Sequence, residues 1–188
     1  MNTKAVSFRE LRSNDLESVL TFADKNIGKN YFTLAKIQQI LAASQKNSIC
    51  CSFVMMDEEG IQGIRLSYPP GMWIDRHPSQ PIHPHLWDVR LEDAAYFQSL
   101  FIASRYQGQG WGQRLSLASI ENLKMTGAKA VVCHSWDQSP GNSSRKYLDS
   151  LGFKAVISIP RFWHEIDYEC VLCGRPCQCS ATEMVRYI

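Results

Sequence analysis

One stretch constrains this chain more than any other: a strand that runs into three alternating glycines and straight on into a helix. It reads Leu100-Phe101-Ile102-Ala103-Ser104-Arg105-Tyr106-Gln107-Gly108-Gln109-Gly110-Trp111-Gly112-Gln113-Arg114-Leu115. Without Cβ atoms such a turn takes positive φ and brings its amides close to a ligand. The first N–H groups of the helix lack intrahelical partners, and the helix dipole is positive at that end. Together these make an anion site suited to a phosphate or pyrophosphate. The plainer alternative is a tight strand-to-helix turn with no ligand. Two familiar phosphate turns are excluded by spacing. A dinucleotide fingerprint needs glycine at the sixth place of G-x-G-x-x-G, where Gln113 stands, and a P-loop needs Gly-Lys-Ser/Thr, which is absent.

The rest of the chain orders itself around that turn. Ala5 to Arg9 alternates as a first strand, and Asn14-Asp15-Leu16-Glu17 fits a capping box ahead of an apolar face at Leu16, Val19, Leu20, Ala23 and Ile27. Thr33 opens a second helix with Leu34, Ile37 and Leu41 on one side. Ser48–Met56 and Ile61–Ser67 are β-rich runs around an Asp57-Glu58-Glu59-Gly60 hairpin. Tyr96–Ala103 is a strand, and the helix after the glycines runs to Thr126, with Gly127 at its C-cap. Ala130–His134 is a buried strand, Ser143–Leu151 a short helix closed by Gly152, and Phe153–Ile159 and Ala181–Ile188 are the last strands. The expectation is one mixed α/β (α+β) domain over 1–188 with a central sheet.

Composition narrows the partners. The 188 residues, 45% hydrophobic and 20% charged, suit a folded globule with a full core rather than a disordered chain. A formal charge of +2 argues against nucleic acid, which wants a basic face. No apolar run approaches the ~18 residues of a membrane span. Met1-Asn-Thr-Lys4 leads into no apolar signal core, so a cytoplasmic location is expected.

Gln107-x-x-Gly110-x-Gly112 resembles the Gln/Arg-x-x-Gly-x-Gly/Ala signature of the GNAT superfamily of N-acetyltransferases. Asn142 and Tyr147-Leu148-Asp149-Ser150-Leu151-Gly152-Phe153 resemble its second motif, a short helix ending in Leu-Gly-Phe. The element order matches along essentially the whole chain. The resemblance implies a twisted, mostly antiparallel sheet of about seven strands, splayed between the fourth and fifth and flanked by about four helices. It implies acetyl-CoA as cosubstrate in that gap. Backbone groups of Leu100, Phe101 and Ile102 would then pair with the pantetheine arm, and amides of Gly108, Gln109, Gly110, Trp111, Gly112 and Gln113 would hold the pyrophosphate. Asn142 would contact the CoA arm, or alternatively cap the helix that follows. The implied activity is acetyl transfer to a primary amine of a small molecule, peptide or protein, by a monomer or homodimer. The alternative is a catalytically weak module that binds acyl-CoA in a regulatory role.

Acetyl transfer needs a neutral amine, a polarised carbonyl and a proton for the leaving thiolate. A backbone N–H near Ile102 would polarise the carbonyl. The family's usual general-acid tyrosine lies five residues before the Leu-Gly-Phe phenylalanine, which here is Leu148. Its neighbour Tyr147 is the candidate acid, with water and simple packing as the alternatives. Asp88, Glu92, Asp93, Asp137 and His134 are unranked candidates for the base. The proline-rich Tyr68–Asp93 segment carries Trp73, His77, His83, His85 and Trp87, and is the expected place of acceptor choice.

Seven cysteines without an export signal argue against a disulfide framework, and Cys50, Cys51 and Cys133 read as packed thiols. The other four form Cys170-Val-Leu-Cys173-Gly174-Arg-Pro176-Cys177-Gln-Cys179, in the link between the last two strands. Cys-x-x-Cys-Gly resembles a metal knuckle, and four thiolates are the ligand set of a structural zinc. An iron–sulfur centre and four reduced thiols in a turn remain open.

Overall fold

The computed structural model describes residues 5–29, 31–74 and 81–188. The chain's leading Met1–Lys4 and the loop residue His77 lie outside them. Seven strands form one sheet: β1 (Ser7–Glu10), β2 (Phe53–Asp57), β3 (Gly60–Tyr68), β4 (Ala94–Ile102), β5 (Ala130–Trp136), β6 (Lys154–Ile159) and β7 (Ala181–Tyr187). Their order across the sheet is β1-β2-β3-β4-β5-β7-β6, antiparallel except for β4 beside β5. Four α-helices flank it: α1 (Leu16–Asn26), α2 (Leu34–Ala43), α3 (Trp111–Met125) and α4 (Ser143–Ser150).

Each helix takes its place through one apolar stripe. Val19, Phe22 and Ala23 of α1 and Ile37, Ile40 and Ala43 of α2 pack with Ile64 and Leu66 on one sheet face. Ile120 and Leu123 of α3, Leu148 of α4 and Leu151 at its C-cap pack with Phe97 and Val131 on the other. The α2 stripe differs from the expected one: Leu34 points outward, 45% exposed, because the first-turn position has no neighbour to cover it. Thr33 caps α2 as read, its hydroxyl accepting from the Lys36 amide. The α1 start is corrected. A 3-10 turn at Ser13–Asp15 precedes the helix, and the Asp15 carboxylate accepts from the Arg12 amide at 2.8 Å. Bidentate pairing of Asp15 with Arg9, at 2.7 Å for both oxygens, favours that register over an Asn14 cap. The Ser48–Met56 run is also interrupted. Ile49–Cys50 pairs back on Gln45–Lys46 as a separate two-residue ladder before β2 begins.

The feature that makes a site is the parting of β4 from β5. They pair in parallel only from Ala94–Phe97 against Ala130–Cys133, yet β4 continues to Ile102 and β5 to Trp136. Against β3, Leu66 faces Ser99 and Ser67 faces Phe97, so Gln98 is an extra, bulged residue. A bulge bends its strand, and this one stands where β4 leaves β5. The sheet opens into a V.

Candidate functional site

The V is the core of a cleft of about 1040 Å³ that runs from the glycine turn, past its vertex, to the segment after β6. At the turn end, Gly110 has φ +80° and is the N-cap of α3. No backbone carbonyl among the described residues accepts from the amides of 108–113; the ladder resumes with the Arg114 amide on Gly110 O. The turn is anchored by the two residues that lead into it. Arg105 reaches Asp57 and Glu59 at 2.9 and 2.7 Å, and the Tyr106 hydroxyl donates to Asp57 at 2.6 Å, tying the approach to the β2–β3 hairpin.

Gln107, Gly108, Gly110, Trp111, Gly112 and Gln113 line the cleft, as do Leu100, Phe101 and Ile102. Two details differ from the expectation. Backbone direction alternates along β4, and the Ala103 amide donates to Gln62 O on the β3 side. By that alternation Phe101 also turns its backbone to β3, while Leu100 and Ile102 turn theirs to the gap. The Ile102 carbonyl is in turn taken by the Gln107 side chain at 2.9 Å. Gln109 stands outside the lining, its side-chain amide turned back to donate to Arg105 O at 2.8 Å. Asn142 takes the N-cap position, one of its two expected places. It holds φ +58° at the N-cap of α4, makes no side-chain capping bond and lies outside the lining. The Ser139 hydroxyl accepts from the Ser144 amide instead, at 3.0 Å.

Tyr147 does face the cleft from α4. Its oxygen accepts from Arg65 Nη2 at 2.9 Å and touches the Ser116 hydroxyl. Arg65, only 3% exposed, also donates through Nε to Ser116 at 3.0 Å and lies 4.0 Å above the Phe97 ring. A buried cation therefore stands directly behind the phenol. Tyr147 faces the cleft, while its neighbour Leu148 takes the core position.

At the vertex, three residues from three strands form a chain. The Tyr96 hydroxyl of β4 meets Nδ1 of His134 on β5 at 2.8 Å, and Nε2 of His134 lies 3.4 Å from Glu183 on β7. Glu183 is fully buried and sits behind the cleft wall; its carboxylate also accepts from the Trp87 indole at 2.8 Å and the His83 amide at 3.1 Å. Burial alone would raise the Glu183 carboxyl, but the adjacent His134 and the Trp87 donor outweigh it and hold the group ionised, below its usual range. Burial likewise lowers His134, partly opposed by Glu183, so the imidazole is neutral near pH 7. Nε2 makes no hydrogen bond and stands within ion-pair distance of the carboxylate; a proton on Nε2 leaves Nδ1 to accept from Tyr96. Burial pushes the Tyr96 phenol well up, so it keeps its proton. Of the sequence-stretch candidates for a base, only His134 lines the cleft. Asp93 is engaged by Arg90 and Lys129, Asp137 by Thr182, and Asp88 stands beside Tyr187. Tyr96 and Glu183 belong to no motif; the one available signal is a carboxylate next to the apolar Met184-Val185 step of the last strand.

The far end of the cleft is aromatic, but through other residues than expected. Tyr31 and Phe32 come from the α1–α2 turn, and Phe162, Trp163, Ile166 and Val171 from the segment after β6. Phe162 stacks on His134 with centroids 4.1 Å apart. In the Tyr68–Asp93 segment, by contrast, Trp73 and Trp87 are buried at 1% and 5% exposure and support the site from behind. Trp73 donates to Ala94 O at 2.8 Å and stacks on Tyr96 at 4.8 Å. Their large apolar area belongs to the core rather than the cleft.

Cys50, Cys51 and Cys133 are packed thiols, with burial pushing Cys51 and Cys133 up to about 12. Cys170, Cys173, Cys177 and Cys179 draw together between β6 and β7, all four sulfurs within 4.8 Å of one another.

No protein-family model matches the sequence, and no curated protein does. Solved structures match along nearly the whole chain. Arabidopsis thaliana NAA60 in complex with acetyl-CoA aligns with TM-score 0.69 at 13% identity, covering 98% of this chain and 99% of that one. The ribosomal-protein-S18-alanine N-acetyltransferase of Escherichia coli aligns with TM-score 0.64 at 14% identity, covering 98% and 94%. The putative acetyltransferase yncA of Salmonella typhimurium, with its cofactor acetyl-CoA, aligns with TM-score 0.67 at 15% identity, covering 97% and 94%. The chain has the fold of the GNAT N-acetyltransferases. Among the described residues no helix is long and apolar enough to cross a membrane.

Proposed function

We propose that this protein transfers the acetyl group of acetyl-CoA to a primary amine, forming an amide and releasing the CoA thiol. The observation that carries the reading is the Tyr96–His134–Glu183 chain at the vertex of the V, one cleft away from a turn of unpaired amides. The acetyl-CoA held by two of the structural neighbours supports the choice of donor.

Each part of the reaction has a residue in reach. Amides of the Gly108–Gln113 turn hold the pyrophosphate, and the gap-facing backbone of Leu100 and Ile102 pairs with the pantetheine arm. One of those N–H groups polarises the thioester carbonyl. The amine nitrogen attacks that carbon. Its proton passes to the Tyr96 oxygen as the Tyr96 proton passes to His134 Nδ1, and Glu183 stabilises the imidazolium that forms. The carbon–sulfur bond then breaks, and Tyr147 protonates the thiolate. The Arg65 guanidinium stands beside the oxygen that loses that proton. Aromatic walls at Tyr31 and Phe162 receive the acceptor. A module that only bound acyl-CoA would have no use for a neutral His134 on the cleft wall backed by a buried, ionised Glu183, which favours turnover over a regulatory binding role.

The test is acetyl-CoA with a panel of small primary amines and of peptides bearing free N-termini, following thiol release and acetylated product by mass spectrometry. Turnover that is lost in His134→Gln, with CoA affinity retained, is the expected result. CoA binding without turnover across the whole panel would replace the enzyme reading with the binding one.

A further inference from the structure

The cysteine cluster takes no part in the chemistry above, yet it is built as a site. A tetrahedral ion with metal–sulfur bonds of ~2.3 Å requires its four sulfurs roughly 3.8 Å apart. Cys170 and Cys179 are 4.0 Å apart, Cys173 and Cys177 3.8 Å, and Cys173 and Cys179 3.6 Å. Those separations exceed the ~2.05 Å of a disulfide and converge on one point, as a single ion requires. The backbone is shaped for it: Cys170 and Gly174 exchange two hydrogen bonds, at 3.2 and 2.9 Å, with Gly174 at φ +72°. Donors face the sulfurs. The Gln178 amide lies 3.2 Å from Cys173 Sγ, and the buried Tyr168 hydroxyl donates to Cys177 Sγ at 3.3 Å. Four thiolates on a divalent ion carry a net −2, and such donors offset it.

The cluster also holds one wall of the cleft. Cys179 O accepts from the Phe162 amide at 3.0 Å, and Phe162 is the ring stacked on His134. Trp163 and Ile166 pack on the same cysteines, as does Tyr31 from the α1–α2 turn. Tyr31 meets Tyr168 edge-on at 5.2 Å. Gly28 in that turn lies so close that a Cβ would fall 2.6 Å from Glu169 O. Both aromatic walls therefore lean on the ten-residue knuckle.

We propose that Cys170, Cys173, Cys177 and Cys179 bind one Zn²⁺ as a closed tetrathiolate site, and that this ion fixes the geometry of the acceptor end of the cleft. The four thiols release their protons to solvent on binding, and no coordination position is left open for catalysis. The second half of the proposal rests on the acetyl-transfer reading for the word acceptor; the first half does not.

Protein purified without chelator is expected to contain about one zinc per chain, with the four thiols unreactive to Ellman's reagent until a mercurial releases the metal. Less than half an equivalent of zinc with all four thiols freely titratable, or an equivalent of iron in its place, would overturn the site. Cys173→Ser, at the exposed position, is expected to lose the zinc while remaining folded. The second half is read by hydrogen exchange on zinc-stripped wild type, independently of turnover. Segments 25–32 and 160–180 should lose protection and regain it when Zn²⁺ is restored, while 104–113 stays protected and CoA affinity holds within about threefold. Unchanged exchange in 160–180 would overturn the scaffold role. Where an acceptor amine has been found, its KM should rise at least about fivefold on stripping, with kcat changed less; an unchanged KM would equally overturn it.

Discussion

The two ends of the cleft are made of different material. The turn end is built from main chain: a bulged strand, the amides of 108–113 and a glycine at φ +80°. The vertex and far end are built from side chains, brought together from β4, β5, β7, the α1–α2 turn and the segment after β6. A main-chain site is encoded locally, because a few consecutive residues set the backbone angles that aim the amides. A side-chain site is encoded globally, because its members meet only once the sheet has closed. Substitutions should therefore separate the two ends: binding should fail at one and turnover at the other.

The largest effect is expected at the vertex. His134→Gln should lower kcat by ~10²–10⁴-fold, the range of general acid–base help, while CoA affinity changes little by calorimetry. A loss of CoA binding equal to the loss of rate would dissolve the distinction between the ends. The pH profile sharpens the same point. Because His134 is depressed by burial, its basic form persists to lower pH, and the acid limb of kcat/KM should fall below the ordinary imidazole value of 6.5. A limb at or above 6.5 would move the base elsewhere.

Gly110→Asp should act at the other end. A carboxylate and a strained positive φ enter a site made for a phosphate, so CoA affinity should drop by ~100-fold. Near-normal affinity would mean that the turn is not the pyrophosphate site. Tyr147→Phe comes next, with kcat lowered about 10-fold and CoA affinity retained. An unchanged kcat would remove the Arg65-backed hydroxyl from the reaction. Smallest of all, Asn142→Gly, which keeps the positive φ, should leave CoA affinity within about twofold, since Asn142 lies outside the cleft lining. A loss of tenfold or more would return it to the CoA site.

The contrast between the ends is also the contrast between what was legible and what was not. The glycine turn, the Leu-Gly-Phe helix end and the seven-strand order follow from short-range pattern: period-two alternation, glycine at positive φ and apolar stripes. The four cysteines were legible for the same reason, since ten residues of local chain suffice to make a knuckle. Tyr147 could be read as a candidate but not placed, because which of Tyr147 and Leu148 turns to the core is decided by packing of α4 on the sheet. Asn142 occupies the N-cap position of α4 but makes no side-chain capping bond, since the nearby Ser139 hydroxyl accepts from the Ser144 amide.

The vertex lay beyond sequence reading. Tyr96 and His134 are 38 residues apart, and Glu183 is a further 49 along, so no spacing links them. The sheet order that inserts β7 between β5 and β6 is what sets Glu183 opposite His134. The Tyr68–Asp93 aromatics show the same limit, since Trp73 and Trp87 turned inward to fill the core rather than outward to a ligand. Sequence alone determined the elements, the main-chain anion turn and the thiolate set, because each rests on contacts within about a dozen residues. Tertiary structure decided which side chains share the vertex and which wall leans on the cysteines, because those contacts exist only after distant strands have paired.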